Sequence, residues 1–284
     1  MMKAKNIKTV FDLTKAENRV EDFLYIMSDK RYGLAIKNED EVKKIAETFF
    51  ELINMEPVKT LINELKKKDY YTYIHVVDTF ILGTLFSNHL NLPNQLAYVK
   101  GCLMHDIGKL NIPSDFLQFN GPLKKKQFEE VKLHTLAGED LLNTFINTME
   151  VAFLARDHHE RLDGSGYPHG VTEENLTLEA KALMIIDVYS AMTLDRPYRA
   201  ALSSVEALTF LLESENQFDQ KCVKKFLEML HIFPVNSTVR LSNKQLARVV
   251  HVPSSQPYLP DVEILETEAI VKLREEVLAI ESFY

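Results

Sequence analysis

His158-His159-Glu160-Arg161-Leu162-Asp163-Gly164-Ser165-Gly166-Tyr167-Pro168 is the stretch that decides how the rest of this chain is read. Each imidazole carries a polar nitrogen that needs a partner when buried. Two adjacent rings followed by an acidic, glycine-rich turn therefore point to ligand chemistry rather than to packing. Upstream stand His75, His105-Asp106-Ile107-Gly108-Lys109 and His134, and downstream stands Asp187. These five histidines and two aspartates offer enough nitrogen and oxygen donors for two metal ions. Mixed imidazole and carboxylate donors suit iron, manganese, nickel or zinc better than calcium or magnesium, which prefer oxygen alone. No cysteine joins the set, which disfavours a structural zinc site.

Composition sets the limits. The 284 residues suffice for one large domain or one domain with appendages, and 46% hydrophobic content fills a proper core. A formal net charge of −8 argues against a nucleic acid polymer or an anionic membrane as partner. Cys102 and Cys222 are far apart and form no CxxC pair, so each reads as a buried, reduced thiol. The basic start, Met1-Met2-Lys3-Ala4-Lys5, leads into polar residues rather than an apolar signal core, and no run approaches the ~20 apolar residues of a membrane span. A cytoplasmic location is expected.

Outward from the histidine pair, most of the chain reads as helix. Asn38-Glu39-Asp40-Glu41 looks like a cap and acidic first turn ahead of Val42, Ile45, Ala46, Phe49, Phe50 and Ile53 at helical spacing. Further helices are expected over residues 58–67, 70–90, 95–109, 126–148, 150–159, 178–194, 205–212 and 222–230, with an irregular segment over 111–123. The tail changes character: residues 237–241, 247–252 and 261–265 alternate like strands, and 267–280 reads as helix again. The expected architecture is mostly α, a helical bundle core with a small C-terminal β element. Residues 1–55 form an N-terminal helical region of unknown role, 56–284 the functional domain, and about 232–284 its strand and helix extension.

In their order, His75, the His105–Lys109 run, His134-Thr135-Leu136-Ala137-Gly138, the opening motif and Asp187-Val188-Tyr189-Ser190-Ala191-Met192 resemble the HD-GYP family, a branch of the HD-domain phosphohydrolases. Asn120-Gly121-Pro122-Leu123, Asp195-Arg196-Pro197-Tyr198-Arg199 and Phe233-Pro234-Val235-Asn236 look like it too, so the similarity covers roughly residues 60–265. The resemblance implies an HD-domain bundle that hydrolyses cyclic di-GMP to linear pGpG, or on to GMP, through a metal-bridging hydroxide. It implies two divalent ions, iron first and manganese next. His75, His105, Asp106 and Asp187 would hold one; Asp106, His134, His158 and His159 would hold the other, with Asp106 bridging. Two such ions against two carboxylates leave roughly +2 in the pocket, which attracts a phosphodiester despite the acidic surface.

Lys109 lies one helical turn from His105, where its ammonium can meet a nonbridging phosphate oxygen; the plainer reading is a pair with Asp106. Arg196 and Arg199 suit phosphate or the Hoogsteen edge of guanine. Tyr167 can stack on a base, and family members also use the Gly-Tyr-Pro loop to meet signalling partners. Glu160 is expected either to orient a ligand histidine or to face solvent. His89, His169, His231 and His251 lack such company and read as structural. Two departures stand out. Tyr71 occupies the place where some relatives have a third-metal glutamate, which keeps this chain at two ions. Ser190 stands where many relatives have a second acidic residue, with no expected effect on either metal shell. Competing readings are a hydrolase of another cyclic dinucleotide and a cyclic di-GMP receptor or interaction module with weak activity.

Overall fold

A computed structural model describes residues 22–23, 26–27, 30–32, 35–36, 38–119, 121, 124–146, 149–195, 200–231, 233, 235–253, 256, 258–276, 278 and 280–283. Arg196 and Arg199, and Asn120, Pro122 and Leu123 of the motif ahead of His134, lie outside them.

The central element is α3 (Tyr70–Leu90), following α1 (Glu39–Asn54) and α2 (Val58–Lys68). Asp69 caps its start by accepting from the Thr72 amide, and Asn91 ends it in the left-handed region at φ 54°. Side chains from Tyr73 to Phe86 are buried almost all round, so α3 forms the core rather than lying on it. α4 (Gln95–Met104) and α9 (Leu178–Thr193) pack along it, and α8 (Met149–Asp157) packs on α4 and α9. α1 adds its apolar face from outside, with the Phe49 and Phe80 rings 5.4 Å apart. The remaining helices are α5 (Ser114–Leu117), α6 (Lys125–Lys132), α7 (His134–Phe145), α10 (Ser204–Glu213) and α11 (Gln220–Leu230). One hydrophobic core joins these helices, α5 and α6 excepted, to the C-terminal sheet.

Three expected helices differ in the structure. The helix expected over 95–109 stops at Met104 and gives way to a 3₁₀ turn at Ile107–Asn111. The helix expected over 126–148 is two, broken at Leu133. At that break the ring of His134 takes the Val131 carbonyl and the Thr135 hydroxyl takes the Lys132 carbonyl. Side chains thus use acceptors that a continuing helix would need.

The third difference is in the tail. Strands β1 (Thr238–Leu241), β2 (Leu246–His251) and β3 (Asp261–Ile264) lie where alternation places them. The helix expected over 267–280 is instead β4 (Ile270–Lys272), a 3₁₀ turn and β5 (Ile280–Phe283). Ile270, Leu273 and Ile280 have helical spacing, but Glu268 at φ 57° turns the chain back and β4 pairs with β3, Val271 opposite Val262. Tertiary pairing overrides the periodicity. The antiparallel order is β4-β3-β2-β1-β5, with Val239, Leu241, Ala247, Val249, Val262 and Ile264 buried on the core face.

Candidate metal centre

Three of the histidines are set by one local device. His105, His134 and His158 each follow shortly after a helix end, at α4, α6 and α8. Each directs Nδ1 at the carbonyl three residues back: Cys102 at 2.8 Å, Val131 at 2.6 Å and Ala155 at 2.9 Å. A carbonyl only accepts, so Nδ1 carries the proton and Nε2 is left as a lone pair. The same bond satisfies a terminal helix carbonyl, so capping the helix and orienting the ring are one event.

The three Nε2 atoms converge on Asp106, which sits in the turn after α4. Its Oδ1 lies 3.3 Å from Nε2 of His134 and 3.7 Å from Nε2 of His158, and the two Nε2 atoms are themselves 3.3 Å apart. Its Oδ2 lies 3.6 Å from Nε2 of His105 and 3.8 Å from Nε2 of His75. Asp187, on α9, places Oδ1 2.9 Å from Nε2 of His75 and 3.6 Å from Nε2 of His105, and Oδ2 3.7 Å from Nδ1 of His159. All seven residues expected as ligands are therefore brought together, with donor atoms of Asp106, His134, His158 and His159 in one group and of His75, His105 and Asp106 in another.

The donor set fits divalent metal. His105 Nε2 and Asp106 Oδ1 are buried with no hydrogen-bond partner. Lone pairs of nitrogen and carboxylate oxygen facing one another at these distances repel unless a cation lies between them. Burial alone would leave such groups costly; as metal donors they are complete.

Electrostatics point the same way. Burial pushes His158 down to about 4, and burial with the adjacent His158 holds His159 well below the usual imidazole range. Burial also lowers His75. These rings keep their lone pairs at neutral pH. Burial would raise the carboxyls of Asp106 and Asp187, but Lys109 with neighbouring imidazoles at Asp106, and His105, His75 and His159 at Asp187, outweigh it and hold both well below the usual range. Burial would likewise lower His105, and Asp106 and Asp187 reverse it.

The rim follows from the glycine loop. Lys109 donates to Asp106 Oδ2 at 2.6 Å, the plainer of its two expected partners. Tyr167 lies over His159, ring centroids 4.7 Å apart, and meets the half-exposed Phe128 edge-on at 6.3 Å. Glu160 neither orients a ligand histidine nor faces solvent. It is fully buried and accepts backbone N–H groups of His169, Gly170 and Val171 at 2.7, 3.1 and 3.1 Å, closing the loop on itself. A Cβ on Gly166 would meet the Glu160 Cα at 2.4 Å, so this close return requires glycine. Tyr71 stacks parallel to His75 at 6.3 Å, on the face the spacing predicts.

Sequence reasoning missed two neighbours of His75. Ser190 Oγ lies 2.9 Å from its Nδ1, and Asp78 accepts the Ser190 hydroxyl at 2.5 Å. Ser190 therefore does touch the proposed ligand set. A signal was available: Asp78 is a lone carboxylate in an apolar run, three residues after His75.

Comparison with known proteins finds similarity over the residues that carry this geometry. The HD domain family matches residues 85–222. A cyclic di-GMP phosphodiesterase of Pseudomonas aeruginosa is 31% identical over 242 residues, 83% of this chain and 58% of that protein. A 3′3′-cGAMP-specific phosphodiesterase of Vibrio cholerae is 32% identical over 170 residues, 59% of this chain and 37% of that protein. The HD domain match spans the stretch from His105 to Asp187, which carries most of the motifs that resemble the HD-GYP family. The chain spans about half the length of the curated relatives it matches. An HDGYP protein from Bdellovibrio bacteriovorus shares the fold, at a TM-score of 0.51 and 15% identity over 80% of this chain and 77% of that one. Among the described residues no helix is long and apolar enough to cross a membrane.

Proposed function

We propose that this chain is a metal-dependent phosphodiesterase that opens cyclic dinucleotides, cyclic di-GMP foremost, to the linear dinucleotide pGpG. The observation that carries this reading is the meeting of five imidazoles and two carboxylates around a buried Asp106 oxygen with no hydrogen-bond partner. The relatives' names supply the substrate class.

In this reading His75, His105, Asp106 and Asp187 hold one ion and Asp106, His134, His158 and His159 the other. Iron or manganese suits the donors best. When bound, such a pair supplies Lewis acidity toward the phosphodiester and acidifies water. Lys109 is assigned to phosphate: its ammonium, held by Asp106, can turn to a nonbridging oxygen and stabilise charge in the transition state. Tyr167 and Phe128 offer an aromatic wall for a base, and Arg196 and Arg199 are assigned to the guanine edge or phosphate. The exposed Asp163 and Ser165 are the part of the loop offered to a signalling protein.

The test is a product assay. Protein loaded anaerobically with iron or manganese is incubated separately with cyclic di-GMP and 3′3′-cGAMP, and products are separated by chromatography. Faster opening of cyclic di-GMP, abolished by Asp106→Ala, is expected. No hydrolysis of either dinucleotide by protein shown to carry two metals would refute the enzymatic reading in favour of a receptor.

A further inference from the structure

His75 differs from the other three anchored rings, because its Nδ1 meets a hydroxyl instead of a backbone carbonyl. A hydroxyl can donate or accept, so this contact alone leaves the ring's tautomer open. The neighbours close it. The Ser190 hydroxyl has a single proton and gives it to Asp78 Oδ2 at 2.5 Å. The remaining Ser190 lone pair then accepts from Nδ1 of His75, which turns the Nε2 lone pair toward Asp187 Oδ1 at 2.9 Å, a facing of two acceptors that an ion held by both would relieve.

Asp78 is held in turn. Arg31, from the 3₁₀ turn at Lys30–Tyr32 ahead of α1, donates Nη1 to Oδ2 at 3.0 Å and Nη2 to Oδ1 at 2.5 Å. Arg31 also reaches Thr193 Oγ1 at 3.1 Å, and the Tyr32 hydroxyl donates to Oδ1. The pair is almost wholly buried, with 5% of the Arg31 side chain and none of Asp78 exposed. Asp78 thus accepts four hydrogen bonds, and its carboxylate is saturated without any ion. It sits outside the donor cluster and, among the described residues, meets it through Ser190.

We propose that Asp78, Ser190 and Arg31 are positioning residues for His75. Through this buried chain the segment ahead of α1 sets the orientation and basicity of one ligand, and so tunes the metal position containing His75 and leaves the other alone. The proposal rests on the metal-centre reading above. Partners that orient a ligand histidine typically change metal affinity about 10–100-fold. A planar fork such as guanidinium holds a carboxylate in two places, whereas lysine offers a point charge. Arg31→Lys therefore keeps the charge and slackens the geometry.

The experiment titrates the apoprotein with zinc or manganese against a fluorescent chelator, for the wild type, Ser190→Ala and Arg31→Lys. Ser190→Ala should weaken one of two metal positions about 10–100-fold and leave the other unchanged. Arg31→Lys should weaken the same position to a lesser degree. In zinc-loaded protein with ¹⁵N-labelled histidine, the His75 ring N–H held by Ser190 should exchange slowly with water, and Ser190→Ala should abolish that signal. Equal weakening of both positions, or of neither, in variants that melt like the wild type would overturn the proposal and leave the phosphodiesterase reading intact. If Ser190→Ala does not fold, Arg31→Lys decides by the same criterion. Wild-type protein that takes up no divalent metal overturns the metal-centre reading, and this proposal with it.

Discussion

Glu160→Gln is the substitution whose cost can be worked most directly from the structure. The carboxylate is wholly buried and accepts three backbone N–H groups, two on Oε1 and one on Oε2. Glutamine keeps the shape but has a single acceptor oxygen. With its carbonyl at the Oε1 position, the bonds from His169 and Gly170 survive as neutral ones, each weaker by about 1 kcal/mol. Its amide then faces the Val171 N–H, donor against donor, and an unpaired buried amide costs about 1–3 kcal/mol. The total is about 4 kcal/mol, borne by opening of the loop because all three donors belong to it. At 1.4 kcal/mol per factor of ten, exchange protection of amides 169–171 should fall by roughly 500- to 1,000-fold. Hydrogen exchange read by mass spectrometry, with protection in α3 and α9 as internal reference, measures this. Since the Tyr167 amide donates to the His159 carbonyl in the same loop, KM should rise while metal content stays near normal. Protection within tenfold of wild type would refute the argument that Glu160 holds the loop.

Three further outcomes follow. Gly108→Ala would put a Cβ 1.9 Å from the His134 carbonyl oxygen and 2.4 Å from the Gly138 amide nitrogen, so the turn bearing Asp106 must part from α7; a loss of about 3 kcal/mol in urea denaturation and of metal uptake is expected, and wild-type stability would contradict the contact. Lys109→Ala should lower kcat and kcat/KM together with both metals retained, whereas a rise in KM alone would assign it to ground-state binding. Apoprotein should lose stability as pH falls. His158 takes up its proton near 6.5 when unfolded but only at about 4 when folded, so the unfolded state binds more protons between those values. The loss through that window is on the order of 3 kcal/mol from this ring. His159 adds to it and His105, shifted upward, opposes it; denaturation midpoints that are flat from pH 7 to 4.5 would contradict the shift.

The residues that the structure gathers around Asp106 were legible in the sequence because each is chemically conspicuous where it stands. Paired imidazoles before a glycine loop and an Asp beside His105 have few uses in ordinary packing. Helix existence was legible from periodicity, and the 70–90 helix agrees to the residue. The breaks after Met104 and at Leu133 were not, because they depend on where a ring finds a carbonyl rather than on any breaker residue. The tail failed for a related reason: residues 270, 273 and 280 satisfy a helical pattern, and only the neighbouring β3 edge makes them strands. The chain through Arg31, Asp78 and Ser190 joins positions 47 and 112 residues apart, a separation that no local pattern encodes.

The anchoring of three rings to carbonyls of their own chain has a consequence for ion choice. A cage whose donors are aimed by the backbone is rigid toward every visitor alike, and its nitrogen-rich lining ranks first-row ions chiefly by their intrinsic avidity. Nothing in that lining distinguishes iron from a tighter-binding intruder such as zinc. Discrimination then passes from the protein to its surroundings, and the occupant of a purified sample records the growth medium and the exposure to oxygen. Two preparations of one sequence can then differ in any turnover they show with no difference in fold, so an assay of this protein is meaningful only when quoted with the metal inventory of the sample measured.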